Sequence, residues 1–137
     1  MATEAHLPVL AALPPVNSFE MTRLVEQGLP PESIEELKEL GLTFTEVAQI
    51  VIPPRTLKHR KARGERLSTE ETERFLRVVR VLRLGERIFG NRDKSLAWLR
   101  TPADRMENRT AISLLGTEAG AQLVEGQLWA IDEGMYT

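Results

Sequence analysis

Arg55, Thr56, Lys58, His59, Arg60, Lys61 and Arg63 crowd into one short stretch of a 137-residue chain. Cationic side chains so spaced neutralise phosphates and release their condensed counterions, which is the chemistry of nucleic-acid contact. From Arg55 to Arg83 there are ten Lys or Arg against four Glu, while the whole chain stands at −2. The excess is a local patch on an otherwise acidic protein, the footprint expected of DNA binding. The competing reading is a solvated helix face. Catalysis finds no comparable assembly. The only histidines are His6 and His59, so neither a metal-ligand set nor a Ser-His-Asp arrangement can be built. No glycine-rich phosphate loop occurs, and the paired acids Glu35-Glu36 and Glu70-Glu71 are expected in exposed turns. The chain is expected to be no enzyme and to need no cofactor or metal.

Two helices must position the basic stretch. Thr43 and Glu46 form a capping box that opens a short helix at Phe44, with Phe44, Val47, Ala48 and Val51 as its apolar face. Pro53-Pro54 stops that helix and presets a rigid corner. A second helix, about Arg55 to Arg63, turns Leu57 inward as its anchor and ends at Gly64. Two short helices across a tight corner form a helix-turn-helix, whose second helix enters the major groove. His59 is a candidate phosphate contact within it.

The remaining pattern is all-α. Apolar residues recur at helical rather than alternating spacing, and capping signals are frequent. The expected organisation is an N-terminal arm over residues 1–16, a helix-turn-helix domain over 17–66, and a long linking helix with a small C-terminal helical domain over 67–137. Pro8, Pro14 and Pro15 break the apolar start, which reads as a loose arm and a poor signal peptide. Asn17 or Ser18 caps a helix ending at Gly28, and Ser33 with Glu36 is expected to form another capping box. Residues 1–54 carry eight Glu against Arg23 and Lys38, a face that should point away from nucleic acid. No Cys is present and no apolar run reaches membrane-spanning length, so the expectation is a cytoplasmic protein without a membrane role.

Ser68 and Glu71 cap a helix reaching Phe89. Phe75, Val78, Val79, Leu82 and Phe89 share one face, and Arg74, Arg77, Arg80, Arg83 and Arg87 spread over the other, where solvation or partner contact is favoured over phosphate for those beyond Arg74. Val81, Leu84 and Ile88 lie outside the main stripe and should touch the C-terminal segment, another subunit, or both. DKSLAWLR suggests a further helix with Trp98 in the core. A last helix runs from about Glu118 to Glu133, capped by Thr117, with Ala121, Val124, Leu128 and Ile131 as its stripe. Gly120 and Gly126 each cost this helix about 1 kcal/mol relative to Ala, so close approach of another backbone is expected to compensate. The acidic C-terminal region ends in Gly134-Met135-Tyr136, better suited to a protein partner than to DNA.

The blocks IPPRTLKHR, RLSTEETERFLRVVRVL, IFGNRDKSLAWLRTP and LLGTEAGAQLVEGQLWAIDEG, in this order, resemble the Xre/ParS (Xre/MbcA/ParS) family of type II antitoxins from about Gly41 onward. The family usually has Gly-Gly and Pro where this chain has Glu107-Asn108 and Ala111, and the corner Ile52-Pro53-Pro54 is shorter than in generic repressor motifs. The resemblance implies a bacterial antitoxin that blocks a cognate RES-domain, NAD-consuming toxin with its C-terminal region and represses its own operon. It implies toxin contact by Leu115, Thr117, Gly120, Val124, Leu128, Gly134, Met135 and Tyr136, although Val124, Leu128 and Ile131 read more readily as core and Met135 and Tyr136 are the better contact candidates. It also implies a palindromic operator and a homodimer or toxin-bridged hetero-oligomer. Two other readings stay open: a stand-alone helix-turn-helix regulator whose C-terminal region only dimerises, and an adaptor whose basic patch meets an acidic protein.

Overall fold

Side-chain caps cut the chain into the elements of the structure, a computed structural model that describes residues 8–134. Among these there are seven α-helices and no β-strand: α1 (Phe19–Gln27), α2 (Glu35–Glu39), α3 (Phe44–Ile50), α4 (Pro54–Arg63), α5 (Thr69–Phe89), α6 (Arg92–Leu99) and α7 (Glu118–Asp132). Ser18, Thr43, Ser68, Asn91 and Thr117 each accept a backbone N–H from the first turn of the helix they precede. Full capping boxes form at Thr43/Glu46 and Ser68/Glu71. The expectations for His6, Met135 and Tyr136 lie outside the described residues.

The box expected at Ser33/Glu36 does not form. Pro30 and Pro31 preset the backbone of a 3-10 turn, Pro31–Ile34, so Ser33 already lies inside a turn when α2 begins. Ser33 Oγ is buried with no hydrogen-bond partner among the described residues. The Glu36 carboxylate, expected to be exposed, is buried and accepts the backbone N–H groups of Val9 and Leu10, each at 2.9 Å. Val9 and Leu10 are thereby tied down, and Arg83 Nη2 donates to the Leu10 carbonyl at 2.8 Å from the other side.

α5, about 32 Å long at 1.5 Å per residue, carries the core. Phe75, Val78, Val79 and Leu82 are buried as the spacing predicts, and Val81 is buried too because α6 and α7 cover the helix on further sides. The C-terminal segment is thus one of the bodies that α5's extra apolar residues meet. Phe89 and Trp98 are only half-buried and rest on each other, ring centroids 6.1 Å apart. α7 contributes Ala121, Val124 and Leu128, all fully buried, while Ile131 is half-buried. The close approach expected at Gly120 is present, since a Cβ there would collide with the Leu114 carbonyl. At Gly126 the expectation fails: nothing lies within 4 Å of where a Cβ would stand.

The connector into α7 takes an unusual path. Glu107 and Asn108 have φ of 55° and 63°, and Arg109 donates back to the Met106 carbonyl at 3.0 Å. Both central residues of this tight turn are left-handed, as in the turns that favour Gly, Asn and Asp. The chain thus keeps the conformation that glycines would make easy. Met106, Ala111 and Ile112 are buried beside it.

Candidate nucleic-acid interface and second surface

α3 and α4 meet across Val51, Ile52 and Pro53. Val51 and Ile52 are buried, and both donate to the Val47 carbonyl, at 2.9 and 3.2 Å. Pro53 and Pro54 enter α4, where a missing N–H removes only a donor that would be unpaired anyway. The other end is closed by Gly64 at φ 63°, with Glu65 N–H donating to the Arg60 carbonyl at 2.9 Å and Gly64 N–H to Lys61 at 3.3 Å. This pair of bonds requires a left-handed residue, which glycine supplies. Phe44, expected on the buried face of α3, is 59% exposed, because the first helical turn points outward and Ile50 takes its place in the core beside Val47 and Val51.

Helical spacing divides the basic stretch. Arg55, Lys58, His59 and Arg63 are exposed on the outer face of α4 and make no side-chain ion pair or hydrogen bond among the described residues. Thr56 sits half-buried on the flank, and Leu57, the expected anchor, is half-buried on the inner side. Arg60 also turns inward. Its Nε and Nη2 donate to both oxygens of Glu71 at 3.0 and 3.1 Å, and Nη1 donates to Glu65 at 3.1 Å. Burial alone would raise the Glu71 carboxyl, but hydrogen bonds from Arg60 and Ser68 outweigh it and hold it below the usual carboxylate range. Lys61 reaches Glu35 at 3.4 Å through an exposed, weak pair.

The arginines of α5 are neither free for phosphate nor simply solvated. Arg74 Nε donates to the Val51 carbonyl at 2.7 Å. Arg77 bridges to Glu118 at 3.2 Å and to the Gly116 carbonyl at 3.1 Å. Arg80 pairs with Glu118 at 3.0 Å and Glu125 at 2.8 Å, and Arg87 lies 5.2 Å from the Trp129 ring centre. They staple α5 to α7 and to the helix-turn-helix corner. Sequence could count these charges but not the long-range groups that pair with them, so within the basic stretch from Arg55 to Arg83 the unpaired cations among the described residues are those of α4.

α6 is locked to α3 in the same manner. Arg100 donates to both oxygens of Glu46 at 2.7 and 2.8 Å and to the Gly41 carbonyl at 2.8 Å. The Glu46 carboxyl is raised by burial and lowered further by Arg100 and the Thr43 cap, with a net depression. The end of α6 and the start of α3 therefore share a seam at the capping box of α3.

Of the second set of candidates, Leu115, Val124 and Leu128 have no exposed surface. Thr117 caps α7, Gly120 fits against Leu114, and Gly134 is exposed. The large apolar residues that α7 does expose are Leu123 and Trp129, at 46% and 43%. Reasoning from an apolar stripe finds the residues that face the core, and such a stripe carries no signal for the opposite face.

Comparison with known proteins assigns both halves. Residues 20–80 match the antitoxin Xre-like helix-turn-helix domain, and residues 84–134 match the antitoxin Xre/MbcA/ParS C-terminal toxin-binding domain. The two matches meet inside α5. A protein named Antitoxin Xre from Pseudomonas putida is 31% identical over 131 residues, covering 95% of this chain and 82% of the relative. One of the same name from Yersinia enterocolitica is 34% identical over 87 residues, covering 63% and 59%, and one from Photorhabdus laumondii is 25% identical over 128 residues, covering 90% and 86%.

Proposed function

The chain belongs to the Xre family of antitoxins, with a helix-turn-helix domain and a toxin-binding domain, and from this we infer that it neutralises a toxin through its C-terminal half and reads operator DNA through α4. This is a family of antitoxins and not of enzymes. The observation that carries the DNA half is the sorting of cations on α4: Arg55, Lys58, His59 and Arg63 face outward while Arg60 is pinned inward. Outward cations on a second helix suit phosphates and base edges, with Thr56 and Lys61 at the flanks of the contact. The operator is palindromic and is read by a homodimer or by a toxin-bridged hetero-oligomer, and repression of the protein's own operon follows.

The toxin in this reading is a RES-domain enzyme that consumes NAD, a class reached through the resemblance of the four sequence blocks. Leu115, Val124 and Leu128 shape the toxin-binding region from beneath, whereas Thr117, Gly120 and Gly134, with Met135 and Tyr136, belong to it by position. The protein works in the cytoplasm, where NAD and the operator both are.

The test is growth of cells expressing the product of the adjacent gene, with or without the full chain, together with their NAD content. The full chain should restore growth and NAD, and an Arg55→Ala/Lys58→Ala variant should restore both while losing operator binding. A harmless neighbour, or toxicity that the full chain leaves untouched, would overturn the antitoxin reading and favour the stand-alone regulator. Truncation is a poor test, since Ala121, Val124 and Leu128 fill the core against α5.

A further inference from the structure

Among the described residues nothing requires Gly126 to be glycine. It lies inside α7, where glycine weakens a helix relative to any ordinary residue. Its φ is not positive, so no left-handed conformation demands it. Gly120, in the same helix, is required by the Leu114 carbonyl, whereas the space where a Cβ of Gly126 would stand is open to 4 Å. A helix surface without a side chain is what a second backbone needs to approach closely.

The surroundings of Gly126 suit such an approach. Leu123 and Trp129, three residues before and after it, are the large apolar residues that α7 exposes, and they flank the bare position. Ala119, exposed, and Ala130, half-buried, continue the low face at helical spacing. The Trp129 ring is held from one side by the Arg87 guanidinium, so it is ordered before any partner arrives. At the helix end, Asp132 and Glu133 are exposed beside the negative pole of the helix dipole, and the last turn carries no basic residue. Two acids at that pole are unfavourable alone and are offset by an incoming cation.

We propose that the outer face of α7, centred on Gly126 between Leu123 and Trp129 and ending at Asp132 and Glu133, is the surface on which the toxin docks. The toxin lays a backbone segment across Gly126, sets apolar side chains against Leu123 and Trp129, and places a Lys or Arg at the helix end. The assignment rests on the antitoxin reading above and names its contact surface. It differs from the contacts that the resemblance implied, since Leu115, Val124 and Leu128 are buried in the core.

The experiment uses the full-length chain and the purified product of the adjacent gene. Affinity is measured by calorimetry for the wild type and for Gly126→Ala, Gly126→Leu and Asp132→Lys/Glu133→Lys variants. Thermal unfolding and light scattering of each free variant run alongside. Because the Cβ space is open, both Gly126 variants should unfold at or above the wild-type temperature. Gly126→Leu should bind the toxin on the order of 30-fold more weakly or worse, the loss that marks the centre of an interface, with Gly126→Ala intermediate. The charge reversal should slow association. Wild-type chain that fails to bind the toxin would refute the antitoxin reading itself. Wild-type chain that binds while Gly126→Leu binds equally well would leave that reading standing and overturn this surface. Conversion of a free dimer to a monomer by Gly126→Leu would overturn it too, by giving the face to a second copy of the chain.

Discussion

Arg60 and Glu71 meet in a two-bond pair, Nε to Oε1 at 3.0 Å and Nη2 to Oε2 at 3.1 Å, that fixes α4 on the first turn of α5. The same Oε1 accepts the Ser68 N–H at 2.8 Å as part of the α5 capping box. One buried carboxylate therefore both starts the long helix and sets the roll of α4.

Arg60→Ala should leave Glu71 buried without its cation and cost about 2 kcal/mol, the range for hydrogen bonds to charged groups. Urea unfolding checks this. Arg60→Lys should recover only part, because an ammonium cannot make the paired bonds. Stability equal to wild type in Arg60→Ala would mean that the pair holds nothing.

Arg55→Ala/Lys58→Ala should do the reverse. These side chains make no ion pair or hydrogen bond among the described residues, so stability should move by no more than about 0.5 kcal/mol. Affinity for duplex DNA should fall, and the slope of log affinity against log salt should drop by about one for each phosphate contact removed. An unchanged salt slope would exclude both residues from phosphate contact.

Acid should unfold the chain through its capping carboxylates. Burial would raise Glu71 and Glu46, but Arg60 and Arg100, with the cap donors, hold both below the ordinary 4.5. A carboxyl depressed in the folded state contributes fully above its unfolded value and loses that contribution as pH falls through the folded one. Stability should therefore be flat down to about pH 5 and decline below about 4.5. Glu71→Gln should be less stable at pH 7 and show a shallower acid limb, and parallel limbs for the two proteins would rule the carboxylate out as a cause.

Glu107→Gly should stabilise. Glu107 holds φ at 55° without glycine's freedom, and its side chain is exposed, so relief of a left-handed residue should yield about 1 kcal/mol. Asn108→Gly should yield less, because Asn tolerates this region. Denaturation midpoints for both variants decide the matter, and a loss at Glu107→Gly would place an unrecognised contact at its side chain.

Much of this was legible in the chain itself. Thr43/Glu46 and Ser68/Glu71 are local signals, three residues apart, and each opened its helix as read. Local rules also placed Gly64 and Gly90 at helix ends. What escaped depends on residues far apart in sequence: Glu36 meets Val9 and Leu10, Arg80 meets Glu118 and Glu125, and Arg100 meets Glu46. No spacing rule encodes such pairs. The outward residues of α4 follow from helical period alone, and on α7 the same period finds Val124 and Leu128, which face the core, while Gly126 announces nothing.

α5 runs unbroken from the turn held by Glu71 to the ring of Phe89, and elements from both halves of the chain lean on it. Among the described residues no loop separates the two halves at this point, so a cut between them would fall inside a helix. A crossover within α5 would join Arg77 and Arg80 of one lineage to an α7 shaped for another, leaving charges at mid-helix without their acids. An exchange of halves within α5 would therefore have to carry Glu118 and Glu125 along with Arg77 and Arg80, whereas substitutions on the outside of α4 leave these pairs untouched.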